Sequence, residues 1–230
     1  MKATAATLAA CMVFGAVWTA PAQAEQNEVI AIFNTAKNDA EFGMLSYRRS
    51  LAASLDEGLS LRLDASRGVF DVPGSQGTID TVRLLVGYRI VLGTDTNLTL
   101  YGGPSWRQRD YSVVFPGLTE FDDVGAFVSV EYNQDFADGG EIFTLAEFDT
   151  TEDLFYTSAF YQANVGSVKI GPTVNYLQEG DYTRRAAGVR VTVPVSDMMD
   201  VTATGAWAEG EAGGPGVDSS YLELQLRSRF

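Results

Sequence analysis

The residues of this chain that could do chemistry are carboxylates and arginines. Acidic pairs recur as Asp122-Asp123, Asp149 with Glu152-Asp153, and Glu209 with Glu211. Two carboxyls at a fixed separation would supply the acid and base of glycoside hydrolysis. These pairs fall in stretches that read as loops, which hold no such separation, so they read as solvated charge. The arginines are spaced differently: Arg48, Arg62, Arg83, Arg89, Arg107, Arg109, Arg190, Arg227 and Arg229 each fall on the polar side of an alternating segment. Such rows could attract an anionic solute or hydrogen-bond a saccharide. Equally, they could pair with Asp64, Glu131 and Glu223 and cross-link a confined polar interior. Tyr101 and Tyr221 share that side and could stack on sugar rings. The candidate binding residues are therefore Arg62, Arg83, Arg89, Tyr101, Arg107, Arg109, Glu131, Arg190, Tyr221, Glu223 and Arg227.

What the chain lacks narrows the chemistry further. Its 230 residues contain no histidine, which closes His-based nucleophile activation, His metal sites and His general bases. The sequence marks no catalytic residue, metal ligand or cofactor motif, and the chain reads as non-enzymatic. A formal net charge of −14 argues against a nucleic-acid partner, which needs a basic footprint.

These side chains need elements to hold them. Met1-Lys2, the uncharged apolar stretch Ala3 to Ala20, and the small-x-small ending Ala22-Gln23-Ala24 read as a secretory signal for the Sec route. Leu8-Ala9-Ala10-Cys11 also has the form of a lipoprotein box, but the apolar stretch runs well past Cys11. Cleavage after Ala24 leaves residues 25–230 as one domain, more acidic by the loss of Lys2 and without a thiol.

Within that domain apolar residues recur with period two, which places them on one face of a strand. Leu59, Leu61 and Leu63 oppose Ser60, Arg62 and Asp64; Val82, Leu84, Val86, Tyr88 and Ile90 oppose Arg83 and Arg89. Leu98, Leu100 and Trp106 oppose Arg107 and Arg109, while Val124, Ala126, Val128, Val130 and Tyr132 oppose Ser129, Glu131 and Asn133. The pattern predicts about twelve strands near 28–35, 43–51, 59–67, 79–91, 96–109, 123–135, 141–149, 154–164, 167–177, 182–195, 199–208 and 219–230. Segment 141–149 alternates poorly, since Phe143 and Leu145 share a face with Glu147 and Asp149. If it and a neighbour are loop, ten strands remain. Turns such as Gly93-Thr94-Asp95 and Gly166-Ser167 are predicted at one end, and longer loops at Gly68–Gly77, Asp110–Asp123 and Glu209–Ser219 at the other. Val69-Phe70 and Val113-Val114-Phe115-Pro116 would then lie on loops, folded inward or against a partner.

A soluble β-sandwich or lipocalin-like barrel shares this alternation. Short turns opposite long loops, an even strand count and the arginine-rich polar faces favour an antiparallel transmembrane β-barrel of the bacterial outer membrane. Tyr47, Tyr88, Tyr132, Phe136 and Tyr176 sit where interfacial girdles to outer-membrane lipid are expected. The chain ends on Phe230 after Leu222, Leu224 and Leu226, which resembles the signature read by the outer-membrane assembly machinery; Ser228 departs from it.

Gly87-Tyr88-Arg89, followed by Leu98-Thr99-Leu100-Tyr101-Gly102-Gly103-Pro104-Ser105-Trp106-Arg107, resembles a segment of the BcsS-type cellulose biosynthesis proteins. Arg89 and Gly103 stand where that pattern has Gln and Ala. The resemblance implies an accessory barrel of cellulose or other exopolysaccharide synthesis or secretion, with cellulose or its export components as partners and no catalytic residues to carry over. The arginine faces alone imply a small passive channel for anionic or sugar solutes.

Overall fold

The computed structural model describes residues 26–37, 40–72, 74–114, 119–212 and 217–230, with the side chains of 211, 212, 217 and 218 left aside. The segment read as a signal, Cys11 included, lies outside them, as do Phe115 and Pro116. Twelve strands follow one another: β1 (Asn27–Ala36), β2 (Glu41–Ser50), β3 (Gly58–Val72), β4 (Ser75–Gly93), β5 (Thr96–Tyr111), β6 (Phe121–Asp135), β7 (Glu141–Asp149), β8 (Leu154–Val165), β9 (Val168–Glu179), β10 (Tyr182–Ser196), β11 (Met199–Ala212) and β12 (Val217–Arg229). Each pairs antiparallel with its neighbours in sequence, and β1 pairs with β12 to close the barrel. Closure leaves no open sheet edge, which a β-structure crossing a bilayer requires. At the seam Asn27 and Phe230 exchange backbone hydrogen bonds of 2.8 and 2.9 Å, so the C-terminal residue completes the ring.

The period-two pattern sorts the wall into two faces. Leu59, Leu61 and Leu63, then Val82, Leu84 and Val86, then Leu222 and Leu224, point outward and are exposed. They form an apolar belt that lipid covers. Toward the end that carries both termini the belt is bordered by Tyr47, Tyr88, Tyr132 and Tyr161, and Phe136 meets Tyr161 edge-on at 6.3 Å. The opposite border holds Trp106, Phe155, Tyr176 and Trp207. Two aromatic girdles flanking an apolar band are the interfacial anchors of an outer-membrane barrel. No helix among the described residues is long and apolar enough to cross a membrane; the crossing is made by strands.

Two expectations change. Segment 141–149 is a strand, so the ten-strand alternative falls. Its inward Phe143 stacks on Phe160 of β8 at 5.2 Å, which shows why alternation failed there: the interior accepts aromatic rings beside charges. The predicted loop Gly68–Gly77 is instead the top of a long hairpin, in which β3 runs to Val72 and β4 starts at Ser75. Phe70 lies against Tyr111 at 6.1 Å, inside the sheet, so Val69 and Phe70 are strand residues. Connections at the outer end are therefore mostly tight, with 112–120 the longest.

Wall height is uneven. β4 has 19 residues and β7 only 9, close to the minimum that spans a bilayer. The outer rim is lowest at the β7–β8 hairpin, and its turn, 150–153, bends over the mouth. Gly125 on β6 makes room for it: a side chain there would collide with Thr150 and Thr151. The Thr150 N–H donates to the Ala126 carbonyl at 3.0 Å, and the Ala126 N–H donates to Thr150 Oγ1 at 2.8 Å.

Candidate functional site

Every residue singled out from the arginine rows lies on the inner wall of the barrel, because the register places its strand position on the face opposite the apolar belt. Their pairing is largely across the lumen rather than along one strand. Arg62 donates to Asp64 at 2.8 Å and to Glu131 of β6 at 2.9 Å, and its guanidinium lies 5.1 Å from the Tyr101 ring. Tyr101 is buried over Gly87, where any side chain would occupy the space of its ring; its hydroxyl accepts from Arg48 at 3.3 Å. Arg83 reaches Asp149 of β7 at 3.0 Å and covers the Phe127 ring at 4.2 Å, leaving Phe127 and Leu85 with no exposed surface. Asp149 also accepts from Ser105 and from the Thr151 hydroxyl, each at 2.7 Å. Arg89 donates to Thr99 at 3.1 Å.

The two mouths are bridged as well. At the terminal end Arg227 meets Asp200 at 2.7 Å, Arg48 and Arg229 share Glu28 at 3.3 and 3.2 Å, and Lys169 pairs with Glu141. A cavity of about 510 Å³ opens there, lined by Asn164, Lys169, Thr192, Asp200 and Arg227 among others. At the outer end Arg107 and Arg109 of β5 reach across four strands to Glu179 of β9, Arg107 at 2.9 Å. The same arginines hold Glu152 of the inward-bent turn, at 3.3 and 2.8 Å. Burial and the neighbouring Glu179 carboxyl push the Glu152 carboxyl up to about 7.

Two of the acids that the sequence pattern put in loops, Asp149 and Glu152, thus belong to the lumen, whereas Asp122 and Glu209 are exposed. Asp149 has no exposed surface and Glu152 is mostly covered. Glu28, Asp149, Glu152, Glu179 and Asp200 add negative charge to the arginine rows from strand ends and from the β7–β8 turn, where alternation is weakest.

One wall departs from this pairing. Along β10 and β11 the inward positions are small, with Ala186 and Gly188 facing Ala206 and Ala208. Two arginines flank them on β10, and neither makes an ion pair among the described residues. Arg190 donates to Gln225 at 3.1 Å and lies 4.5 Å from the Phe160 ring; Arg184 lies 5.5 Å from the ring of Tyr221. Tyr221 packs on Ala186, Ala206 and Ala208 and accepts from Asn175 at 2.7 Å. Glu223, two residues further along β12, places a negative charge near Arg190 without forming an ion pair with it. The alternation that places Arg190 inward places Arg184 on the same face, by its even position on β10.

No protein-family model and no curated protein matches the sequence. Solved structures do resemble the fold. An outer-membrane channel from Pseudomonas putida F1 is 9% identical, with 94% of this chain and 98% of that one covered and a TM-score of 0.57. The NanC porin is 8% identical, with 88% and 100% covered and a TM-score of 0.54. The CymD monoaromatic hydrocarbon channel is 11% identical, with 90% and 89% covered and a TM-score of 0.52. At these identities the likeness is one of fold: the chain forms a twelve-stranded antiparallel barrel of the outer-membrane kind.

Proposed function

We propose that this barrel is a non-enzymatic, passive channel for small anionic or sugar solutes. The observation that carries the reading is the β10 wall. Arg184 and Arg190 are half-buried; a cation withdrawn from water without a carboxylate is costly, and elsewhere among the described residues this lumen pairs its cations. Arg184 and Arg190 are left for a mobile anion, with Tyr221 and Phe160 beside them to meet a sugar ring. Small residues between the two arginines leave the bore on that side, and twelve strands give a lumen between a side-chain-filled eight-stranded barrel and an open porin.

Reconstitution in planar bilayers tests this. Discrete conductance with a reversal potential favouring anions is expected, and a fully inserted but silent barrel would overturn the reading.

A second reading, an accessory of cellulose or exopolysaccharide secretion, rests on the BcsS-like residues Gly87 to Arg107. These residues form the β4–β5 hairpin, and the Gly87–Tyr101 contact accounts for part of their pattern as packing. Phe230 at the barrel seam is the residue the assembly machinery would read in either case. Unchanged cellulose output from a deletion strain would sink the second reading alone.

A further inference from the structure

We propose that Arg107 and Arg109 form a carboxylate-binding site at the outer mouth, that Glu152 is its internal occupant, and that an incoming carboxylate solute takes its place and releases turn 150–153. The proposal rests on the channel reading for its solute class, and on the geometry of the mouth for the site.

Two carboxylates share two guanidiniums here, but they are held differently. Glu179 ends a paired strand and meets both arginines. Glu152 sits on a turn between the lowest strands of the rim, and its contact to Arg109 uses the Nη2 that also serves Glu179. With Glu152 withdrawn, the site holds two positive charges against one negative, which suits a single carboxylate. Its guanidinium forks are already fixed by Glu179, and such preorganised forks recognise carboxylates bidentately.

The turn that would move carries little to resist displacement. Its docking consists of the Thr150 hydrogen bonds to Ala126, the Thr151 contacts to Asp149, and the Glu152 ion pairs. Because it overhangs the mouth beside Gly125, binding of solute and opening of the lumen become one event. A solute without a carboxylate gains nothing from the arginines and leaves the turn in place.

Hydrogen exchange read by mass spectrometry on the whole folded barrel, with heat-modifiable migration confirming the fold, tests this with glucuronate and with glucose. Glucuronate should raise exchange at Thr150 and Thr151 about tenfold, as a 1.4 kcal/mol loss of docking does, and glucose should not. In calorimetric titration Glu152→Ala should bind glucuronate more tightly than the unaltered protein, because the internal competitor is gone. Arg107→Gln with Arg109→Gln should lose binding. Equal responses to both sugars, no response to either, or unchanged affinity in Glu152→Ala would each overturn the site. A silent bilayer with a glucuronate-specific exchange response removes the channel reading and leaves the site standing; conductance without that response does the reverse.

Discussion

Arg83 on β4 and Asp149 on β7 are three strands apart in the wall, yet the Asp149 Oδ2 accepts from Arg83 Nη2 at 3.0 Å and from Nε at 3.2 Å. The bridge caps a small buried apolar cluster of Leu85, Tyr101 and Phe127, since Arg83 also covers the Phe127 ring. Removing one partner of a buried pair strands the other charge, which costs about 3–5 kcal/mol. Asp149→Ala should therefore lower the temperature of the heat-modifiable shift sharply. Arg83→Met combined with Asp149→Leu should recover most of the loss; if the double variant is as weak as the single, charge pairing is not what holds these strands.

The contact between Gly87 and Tyr101 predicts a coupled pair. A methyl at 87 would fall inside the ring, so Gly87→Ala should impair folding into detergent or lipid. Tyr101→Ala empties that space, and in its background Gly87→Ala should cost little. A double-mutant cycle on folding yield reads the coupling.

Ion selectivity tests the β10 wall. Arg184→Gln with Arg190→Gln should cut the anion-to-cation permeability ratio about tenfold, equivalent to 1.4 kcal/mol. Arg83→Met with Asp149→Leu, which removes a neutral pair, should change it much less. Reversal potentials in a salt gradient give both numbers, and equal effects would show that unpaired charge has no special role.

The outer mouth should respond to pH. Glu152 faces Arg107 and Arg109 of β5 and Glu179 of β9, with Asp123 of β6, Asp149 of its own hairpin and Tyr182 of β10 around them. Its carboxyl titrates at about 7 in place, against an ordinary 4.5. The docked turn thus holds more protons than the released turn between these values, so docking is strongest below about 4.5 and weakens as pH rises toward 7. Exchange at Thr150 and Thr151, corrected for its intrinsic pH dependence, should rise across that window. Glu152→Gln should keep it flat, and a wild-type profile that is flat as well would contradict the assignment.

Much of the wall was legible in the sequence, because period two is local: a residue's face follows from its parity within one strand, and the burial of a whole face keeps the register. The positions of β1, β2 and β5 to β12 and the inward placement of Arg62, Arg83, Arg107 and Tyr221 needed nothing more. Loops were harder, because Gly68–Gly77 looks like turn chemistry until Phe70 of β3 finds Tyr111 of β5, two strands away across β4. Segment 141–149 looked irregular because Phe143 has a partner, Phe160, that only the closed sheet brings opposite it.

The sequence by itself determined a histidine-free chain of alternating strands whose polar face is rich in arginine. Tertiary structure alone decided which of those arginines are neutralised. Arg107 and Glu179, or Arg83 and Asp149, lie far apart in the chain and meet only across a closed lumen, so no spacing along the strand announces them. The same closure leaves Arg184 and Arg190 without a carboxylate partner among the described residues, because ion pairing in a barrel is set by which strands face each other, and strand order around the ring is a property of the whole sheet.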